Sequence, residues 1–453
     1  MEFSVVGRAV VVVGAARSGI AAAELLARRG GRVTLTDMRP AFDGADRLAA
    51  LGVTLELGGH QDATLAGADL IVTSPGVPLE QPVFAGARAK GVEIIGELEL
   101  ASRWLRGRMI AITGTKGKST TTTVIGRMLE ADGRAVLVGG NIGVPLSAQV
   151  EASTPETIHV VEASSFQLET TTTFRPWIAL WLNLADDHLD RHPTLEAYAA
   201  AKARIFASQT PEDWAVVNVD DPIVMRHARG TAARQVGFSP SGHAREGFVV
   251  DGGWIVRRTT TGTDRLVPVS AVELTGRHML QNVVAAVAVT HVAGASPASM
   301  AAGLRGFHGL EHVMEPAGQV GGVRFVNDSK ATNVEAARRS IESFPAGVVP
   351  IVGGHFKGGD LRDLRDALAG RARAVVAIGA AAPLVHAALD DLLPVLDAGS
   401  MGEAVSRGYE AARPDGTVLL APACASFDWF RDYAERGRAF KSAVVDLGSR
   451  LGA

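Results

Sequence analysis

A short apolar run, residues 109–112, leads directly into Gly114-Thr115-Lys116-Gly117-Lys118-Ser119-Thr120. The run reads as a buried strand, the glycines as a tight loop, and a helix is predicted from about residue 119 to residue 130, where Asp132-Gly133 stops it. Strand, loop and helix N-terminus together make backbone N–H groups converge where the helix dipole is positive, which is an anion site. In such a loop Lys118 reaches the β- and γ-phosphates of a nucleotide and the Ser119 hydroxyl holds a magnesium ion. Ile112 occupies the place of the first glycine in the longer phosphate-loop pattern, so only the short form Gly-x-x-Gly-Lys-Ser is present. The plainer alternative is a glycine turn feeding a Thr-rich helix start.

A chain of 453 residues has room for three domains at about 100–200 residues each. Hydrophobic residues at 47% suffice for sizeable cores, and a net charge of -3 without a long basic run argues against nucleic acid as the main partner. The single cysteine, Cys424, excludes an intrachain disulfide and suits a reducing cytoplasm. No signal-like start and no apolar run of the ~18 residues a membrane span needs are present.

Residues 8–13 form a β-branched run, then Gly14-Ala15-Ala16-Arg17-Ser18-Gly19, an Ala-rich helix to about residue 29, and a strand over 32–36 ending at Asp37. This is the β-α-β opening of a Rossmann-like domain, with Ala16 where the dinucleotide fingerprint needs its second glycine. The departure disfavours a nicotinamide cofactor and leaves a different nucleotide diphosphate or a structural turn. A strand over 68–73 ends in Ser74-Pro75-Gly76-Val77-Pro78, and a first domain is expected over residues 1–98. A central domain over 99–308 contains the phosphate loop, the glycine loop 139–143 with Asn141, a strand 159–162 ending in Glu162 before Ala163-Ser164-Ser165-Phe166-Gln167-Leu168, and an apolar strand 178–184. Asp186-Asp187-His188-Leu189-Asp190-Arg191-His192 follows, then a helix 195–208 bearing Lys202. Alone, His188 reads as a solvated loop residue and Lys202 as a solvated helix face. Glu162, at a strand end near a phosphate loop, is the kind of carboxylate that completes a magnesium site. Gly276-Arg277-His278-Met279-Leu280-Gln281-Asn282 precedes an Ala/Val-rich helix. A third domain, 309–453, alternates strands and helices again. Its strand ends carry Asn327-Asp328-Ser329-Lys330-Ala331-Thr332-Asn333, His355-Phe356-Lys357 and Ala423-Cys424-Ala425-Ser426-Phe427-Asp428, with a last helix whose start holds Trp429, Phe430 and Tyr433. The fold class is therefore α/β: a Rossmann-like N-terminal domain, a central phosphate-loop ATPase domain with a mostly parallel sheet, and a Rossmann-like C-terminal domain.

In their joint order these motifs resemble the Mur ligases, ATP-dependent enzymes that build the peptide of bacterial peptidoglycan. The last two, Asn-Asp-Ser-Lys-Ala-Thr-Asn and Ala-Cys-Ala-Ser-Phe-Asp, resemble the member that joins D-glutamate to UDP-N-acetylmuramoyl-L-alanine, an ADP-forming acid–D-amino-acid ligase. The resemblance implies ATP, two magnesium ions, a monomer in the cytoplasm, and a mobile third domain. It gives phosphate contacts to Gly114, Thr115, Lys116, Gly117, Lys118, Ser119 and Thr120. It makes Glu162 a magnesium ligand, His188 a ligand of a second magnesium, and Lys202 the family's carbamylated lysine. Arg17, Ser18, Asp37 and Gly76 match the uridine-diphosphate pocket, Asn141 and Ser164 the muramoyl-alanine end, Asn282 and Asp328 nucleoside contacts. Lys330, Thr332, Lys357, Ser426 and Phe427 match the D-glutamate site. A folylpolyglutamate-type ligase and a catalytically dead nucleotide-binding paralogue are the competing readings; Lys118, Glu162, His188 and Lys202 together argue against the second. Three residues depart from the family: Lys116 stands where Asn is usual, Met279 replaces the Asn of the His-Asn pair, and Val313 follows His312 where Arg is common. A branched apolar side chain neither hydrogen-bonds a ribose nor stacks as a guanidinium does.

Overall fold

The computed structural model describes residues 3–185, 191–273 and 277–452. Two compact units are present, Met1–Phe307 and His308–Ala453. The first holds two sheets. The N-terminal one contains β1 (Ala9–Val13), β2 (Arg32–Asp37), β3 (Thr54–Leu57), β4 (Leu70–Thr73) and β5 (Glu93–Gly96) in the order β3-β2-β1-β4-β5, all parallel. Val10 and Val12 join one hydrophobic cluster while Val11 and Val13 join another. A strand covered on both faces explains the unbroken valine run. The chain reverses direction across the sheet at β1, the switch point at which open α/β sheets take ligands, and there the loops after β1 and β4 meet. Gly19 is obligatory at this point, since a Cβ on it would lie 1.8 Å from the Gly14 carbonyl oxygen.

The central sheet contains β6 (Arg108–Thr113), β7 (Val136–Gly140), β8 (Ile158–Glu162), β9 (Ile178–Trp181), β10 (Trp214–Asn218), β11 (Arg234–Phe238), β12 (Gly247–Asp251), β13 (Trp254–Thr259) and β14 (Gly262–Pro268). Their order is β14-β13-β12-β11-β10-β9-β6-β8-β7, parallel except for the two antiparallel pairings of β12, β13 and β14. β12, β13 and β14 form an antiparallel ribbon beyond the strands expected from the sequence. Gly252-Gly253, both at positive φ between β12 and β13, is the two-residue hairpin signal that marks it. Gly139 and Gly140 close β7 and do not form a loop, β9 stops at Trp181, and the helix after residue 276 is Arg277–Val292, so Asn282 lies within it.

The helix Glu97–Ser102 joins the two sheets: Leu98 packs in the central core and Leu100 in the N-terminal one. Glu99 beside them is fully buried and accepts hydrogen bonds from the N–H groups of Thr172, Thr173 and Phe174 and from Arg103. Burial works to raise this carboxyl, but the Thr173, Thr172 and Arg103 bonds prevail and hold it below its usual range.

His159 in β8 is also fully buried, its ring nitrogens 2.8 Å from Ser153 Oγ and 3.0 Å from Gln149 Oε1. Desolvation pushes it down to about 4, so the folded protein holds it neutral. Its stabilising effect is complete above the unfolded value of ~6.5 and fades as pH falls toward about 4. The melting-temperature advantage of the wild type over His159→Gln is expected to shrink across that window; a constant difference would contradict it.

In the second unit β15 (Glu315–Val320), β16 (Val323–Asn327), β17 (Val348–Gly353), β18 (Val375–Ile378), β19 (Val395–Ala398) and β20 (Thr417–Leu420) lie in the order β15-β16-β20-β17-β18-β19. Only β15 is antiparallel, returning through Gly321-Gly322, both at positive φ. The last helix is Tyr433–Leu451, so Trp429 and Phe430 precede it.

Candidate functional site

β6 lies between β8 and β9 and runs parallel to both, so the C-terminal ends of all three strands open on one edge of the sheet. The phosphate-like loop leaves β6 at that edge and enters the helix Lys118–Ala131. Gly117 precedes the helix at φ 81 and offers no side chain to cap its first-turn N–H groups. Uncapped first-turn donors are what an anion meets at a helix N-terminus. A Cβ on Gly117 would sit 2.1 Å from Asn282 Oδ1, so the side chain from Arg277–Val292 rests directly on the loop.

Asn183, to which the sequence reading gave no role, holds the loop's shape. Its Oδ1 accepts from the N–H of Thr115 at 3.1 Å and of Lys116 at 3.0 Å, and its Nδ2 donates to the Lys116 carbonyl at 3.1 Å. Thr115 is buried and its hydroxyl bonds to Ala185, whereas Lys116 is exposed. Thr120 is buried in the first turn, and Ser119 beside it is half-buried.

Two ammonium groups converge on the loop. Lys118 Nζ donates to the carbonyls of Gly114 at 2.9 Å and Thr115 at 3.0 Å; Lys202 Nζ donates to the same Gly114 oxygen at 2.8 Å. Lys202 is 1% exposed and lies 4.3 Å from the centre of the Tyr198 ring, one helical turn away. The solvated-face reading of this lysine is thus wrong for a reason of packing: the face it shares with Tyr198 turns inward. Glu162, paired in register with Ile112 of β6, is 1% exposed. Its Oε1 accepts from Asn141 Nδ2 at 2.6 Å, while Oε2 has no hydrogen-bond partner among the described residues. A buried carboxylate oxygen left without a hydrogen-bond partner fits a hard divalent cation taking oxygen ligands. Ser164 is committed to capping the next helix, bonding with Gln167 in a reciprocal box. His188 lies outside the described residues; the following His192 is buried, its Nε2 3.0 Å from Ser165 Oγ and its ring stacked on Phe166.

A cleft of about 490 Å³ adjoins the loop, lined by Asn183, Asn218, Asp221, Phe238, Ser241 and Asn282 among others. Its size suits a small organic ligand, and its walls combine amides with apolar rings and side chains.

At the switch point of the N-terminal sheet Arg17 is exposed, Ser18 half-buried and Gly76 exposed, and Ser74 Oγ donates to the Gly14 carbonyl at 2.9 Å. Burial works against the Asp37 carboxylate, but bonds from Arg39 and from the Ala15 N–H hold it at about 2. It is therefore anionic at neutral pH and pins the loop after β1 to the end of β2.

In the second unit Asp328 is buried, with Oδ1 accepting from the Met314 N–H at 3.2 Å and Oδ2 from the Ser340 hydroxyl. Desolvation raises its carboxyl above the usual range, and both oxygens face the unit's own chain. Lys330, Thr332, Lys357, Ser426 and Phe427 lie on the loops after β16, β17 and β20, neighbours in the sheet. Lys330 and Thr332 are half-buried, Lys357 is exposed, Ser426 is 2% exposed and Phe427 69%.

Family models match in the same order as these sheets: a Mur ligase MurD-like N-terminal domain over residues 8–96, a Mur ligase middle domain over 112–290 and a Mur ligase glutamate ligase domain over 314–424. The chain is 46% identical to the UDP-N-acetylmuramoylalanine–D-glutamate ligase of Acidobacterium capsulatum, over 97% of this chain and 96% of the relative. It is 43% identical to the enzyme of that name from Desulfosudis oleivorans over 97% and 96%. The solved UDP-N-acetylmuramate-alanine ligase of Thermotoga maritima aligns with a TM-score of 0.58 at 18% identity, covering 97% of this chain and all of that one. A pseudomurein peptide ligase from Methanothermus fervidus aligns at 0.56 and 17%, over 97% of this chain and all of that one. At these identities the solved structures speak for the fold alone.

Proposed function

The chain belongs to the Mur ligase family, and from that premise we infer that it is an ATP-dependent ligase joining D-glutamate to UDP-N-acetylmuramoyl-L-alanine in peptidoglycan precursor synthesis. The observation that carries the substrate is the end-to-end identity of 46% with a relative of that name. ATP and magnesium are the family's requirements, and the residues present fit them. Lys118 and the uncapped first turn suit the phosphates. Glu162 Oε2 and the Ser119 hydroxyl suit one magnesium ion; His188 and a carbamylated Lys202 would hold a second.

A carboxylate acylates poorly because oxide is a poor leaving group. An oxygen of the alanyl carboxylate attacks the γ-phosphorus of ATP, the bond to the β-phosphate oxygen breaks, and ADP leaves an acyl phosphate. The D-glutamate amine then attacks the carbonyl carbon, gives up a proton, and phosphate departs with the C–O bond electrons as the amide forms. Lys118 sets its charge against the transferred oxygens, and Asn183 fixes the backbone of the loop before the substrate arrives. Magnesium, when bound, neutralises phosphate charge and orients the phosphoryl group.

The switch point of the N-terminal sheet, with Arg17, Ser18, Asp37 and Gly76, is assigned to the uridine diphosphate, and Asn141 and Ser164 to the muramoyl-alanine end. The cleft beside Asn282 is assigned to the nucleoside, and Asp328 is assigned separately to a nucleoside contact. Lys330, Thr332, Lys357, Ser426 and Phe427 receive D-glutamate, whose carboxylates need the donors they carry. The domains are assigned to residues 1–98, 99–308 and 309–453. No helix of the described residues is long and apolar enough to cross a membrane. A cytoplasmic monomer fits the substrates and the buried free Cys424. The test is phosphate release from ATP with UDP-N-acetylmuramoyl-L-alanine, offering one amino acid at a time. Release is expected with D-glutamate; release with another amino acid alone would reassign the substrate.

A further inference from the structure

We propose that Arg436 is the positioning residue of the amino-acid site: its buried guanidinium ties the substrate loops of the third sheet together and gives them a fixed positive charge that a carboxylate of the incoming amino acid answers. This rests on the reading of D-glutamate as that substrate. Arg436 lies in the first turns of the helix Tyr433–Leu451 and is 1% exposed. Its Nε donates to Ser329 Oγ at 3.0 Å, Nη2 to the Ser329 carbonyl at 2.9 Å and Nη1 to the Cys424 carbonyl at 3.1 Å. Ser329 stands on the loop after β16, next to Lys330 and Thr332; Cys424 stands on the loop after β20, next to Ser426 and Phe427.

The third loop meets the same point. A Cβ on Gly354 would lie 3.2 Å from Arg436 Nη1 and 2.3 Å from the Ala425 carbonyl oxygen, so the loop leading to Lys357 passes directly against the guanidinium. Backbone bonds complete the knot: Ala423 N–H to the Ala331 carbonyl at 3.0 Å, and His355 and Ala425 bonded to each other in both directions at 2.9 Å. One side chain thus sits beneath every loop that carries a donor for the amino acid.

A neutral amide would bridge the same carbonyls at a smaller desolvation cost, since burying an unpaired charge is expensive. No carboxylate forms an ion pair with Arg436 among the described residues. Asp428 acts on it only at longer range, and its Oδ2 is occupied by the Ala380 N–H at 2.9 Å. Burial lowers the guanidinium to about 10, which still leaves it charged at neutral pH. A positive charge held under a loop cluster that receives a dicarboxylate acts with little screening.

The test uses the full chain with Arg436→Gln, which keeps donors and loses the charge, and Arg436→Lys, which keeps the charge and loses the fork. Three quantities are read: the KM for D-glutamate, the KM for ATP, and acyl phosphate formed without D-glutamate and trapped with borohydride. The KM for D-glutamate is expected to rise roughly tenfold or more in the Gln variant and a few-fold in the Lys variant, the scale of one lost charge-assisted contact. The other two quantities should stay within about twofold, because the phosphate loop belongs to the other unit. An unchanged KM for D-glutamate, or equal losses in all three, would overturn the proposal. Should the Gln variant fail to fold, the Lys variant decides by the same split. Failure of the substrate reading looks different, because the wild type itself would then release no D-glutamate-dependent phosphate.

Discussion

Replacing Lys118 with alanine is expected to lower turnover more than ~100-fold, since one preorganised contact to developing charge in such a site is worth roughly 2.7–4 kcal/mol. The ammonium rests on the carbonyls of Gly114 and Thr115, a geometry that holds it over the loop before any phosphate is present. Two effects are removed together in the mutant, the charge and the two hydrogen bonds. The bonds are part-buried and come from a charged donor, each worth about 1.5–3 kcal/mol before solvent screening, so the melting temperature should also fall. Steady-state kinetics beside a melting curve separates the effects. A mutant within a few-fold of wild type would remove the phosphate role from this loop.

Lys202→Ala is expected to be nearly inactive, and a small carboxylate such as acetate should restore part of the activity. Carbamylation joins the neutral amine of Lys202 to carbon dioxide, with loss of a proton, and turns a cation into an anion. The side chain is buried against Tyr198 and reaches the Gly114 oxygen that Lys118 also holds. Two like charges on one oxygen repel, so replacing one of them with an anion relieves the pair as well as offering a metal ligand. Deleting so large a buried side chain also leaves a cavity, which by itself costs stability on the order of 2–5 kcal/mol. Lys202→Met fills most of that space without the nitrogen. If Met restores the melting temperature and not the activity, chemistry is the cause; near-normal activity in the Met variant would leave Lys202 a packing residue.

The three α/β sheets were legible because their signals are local. A valine run buried on both faces, glycines that alone tolerate positive φ, and an acid at a strand end each state their structure within a few residues. That is why the loop 114–120, Glu162 and the opening β-α-β could be read directly. The same holds for the hairpin at Gly252-Gly253, whose signal was present and passed over.

What neighbours what was decided elsewhere. Nothing near Glu162 says that β8 will pair with β6, or that Asn183 beyond β9 will close the loop from the other side; strand order is a choice among long-range pairings of similar local cost. Tyr198 and Lys202 share a helix face by their spacing, but only packing turned that face inward. Arg436 carries the same lesson. In the sequence it is one charge on an amphipathic helix, and its burial under three loops exists only once β16, β17 and β20 lie side by side. Backbone conformation is set by residues next to one another, whereas burial and the partners of a charge are set by residues far apart in the chain. The glycine-rich loop 114–119 therefore belonged to the sequence, and its lysine pair, the unsatisfied carboxylate oxygen of Glu162 and the buried charge beneath the loops of the third sheet belonged to the fold.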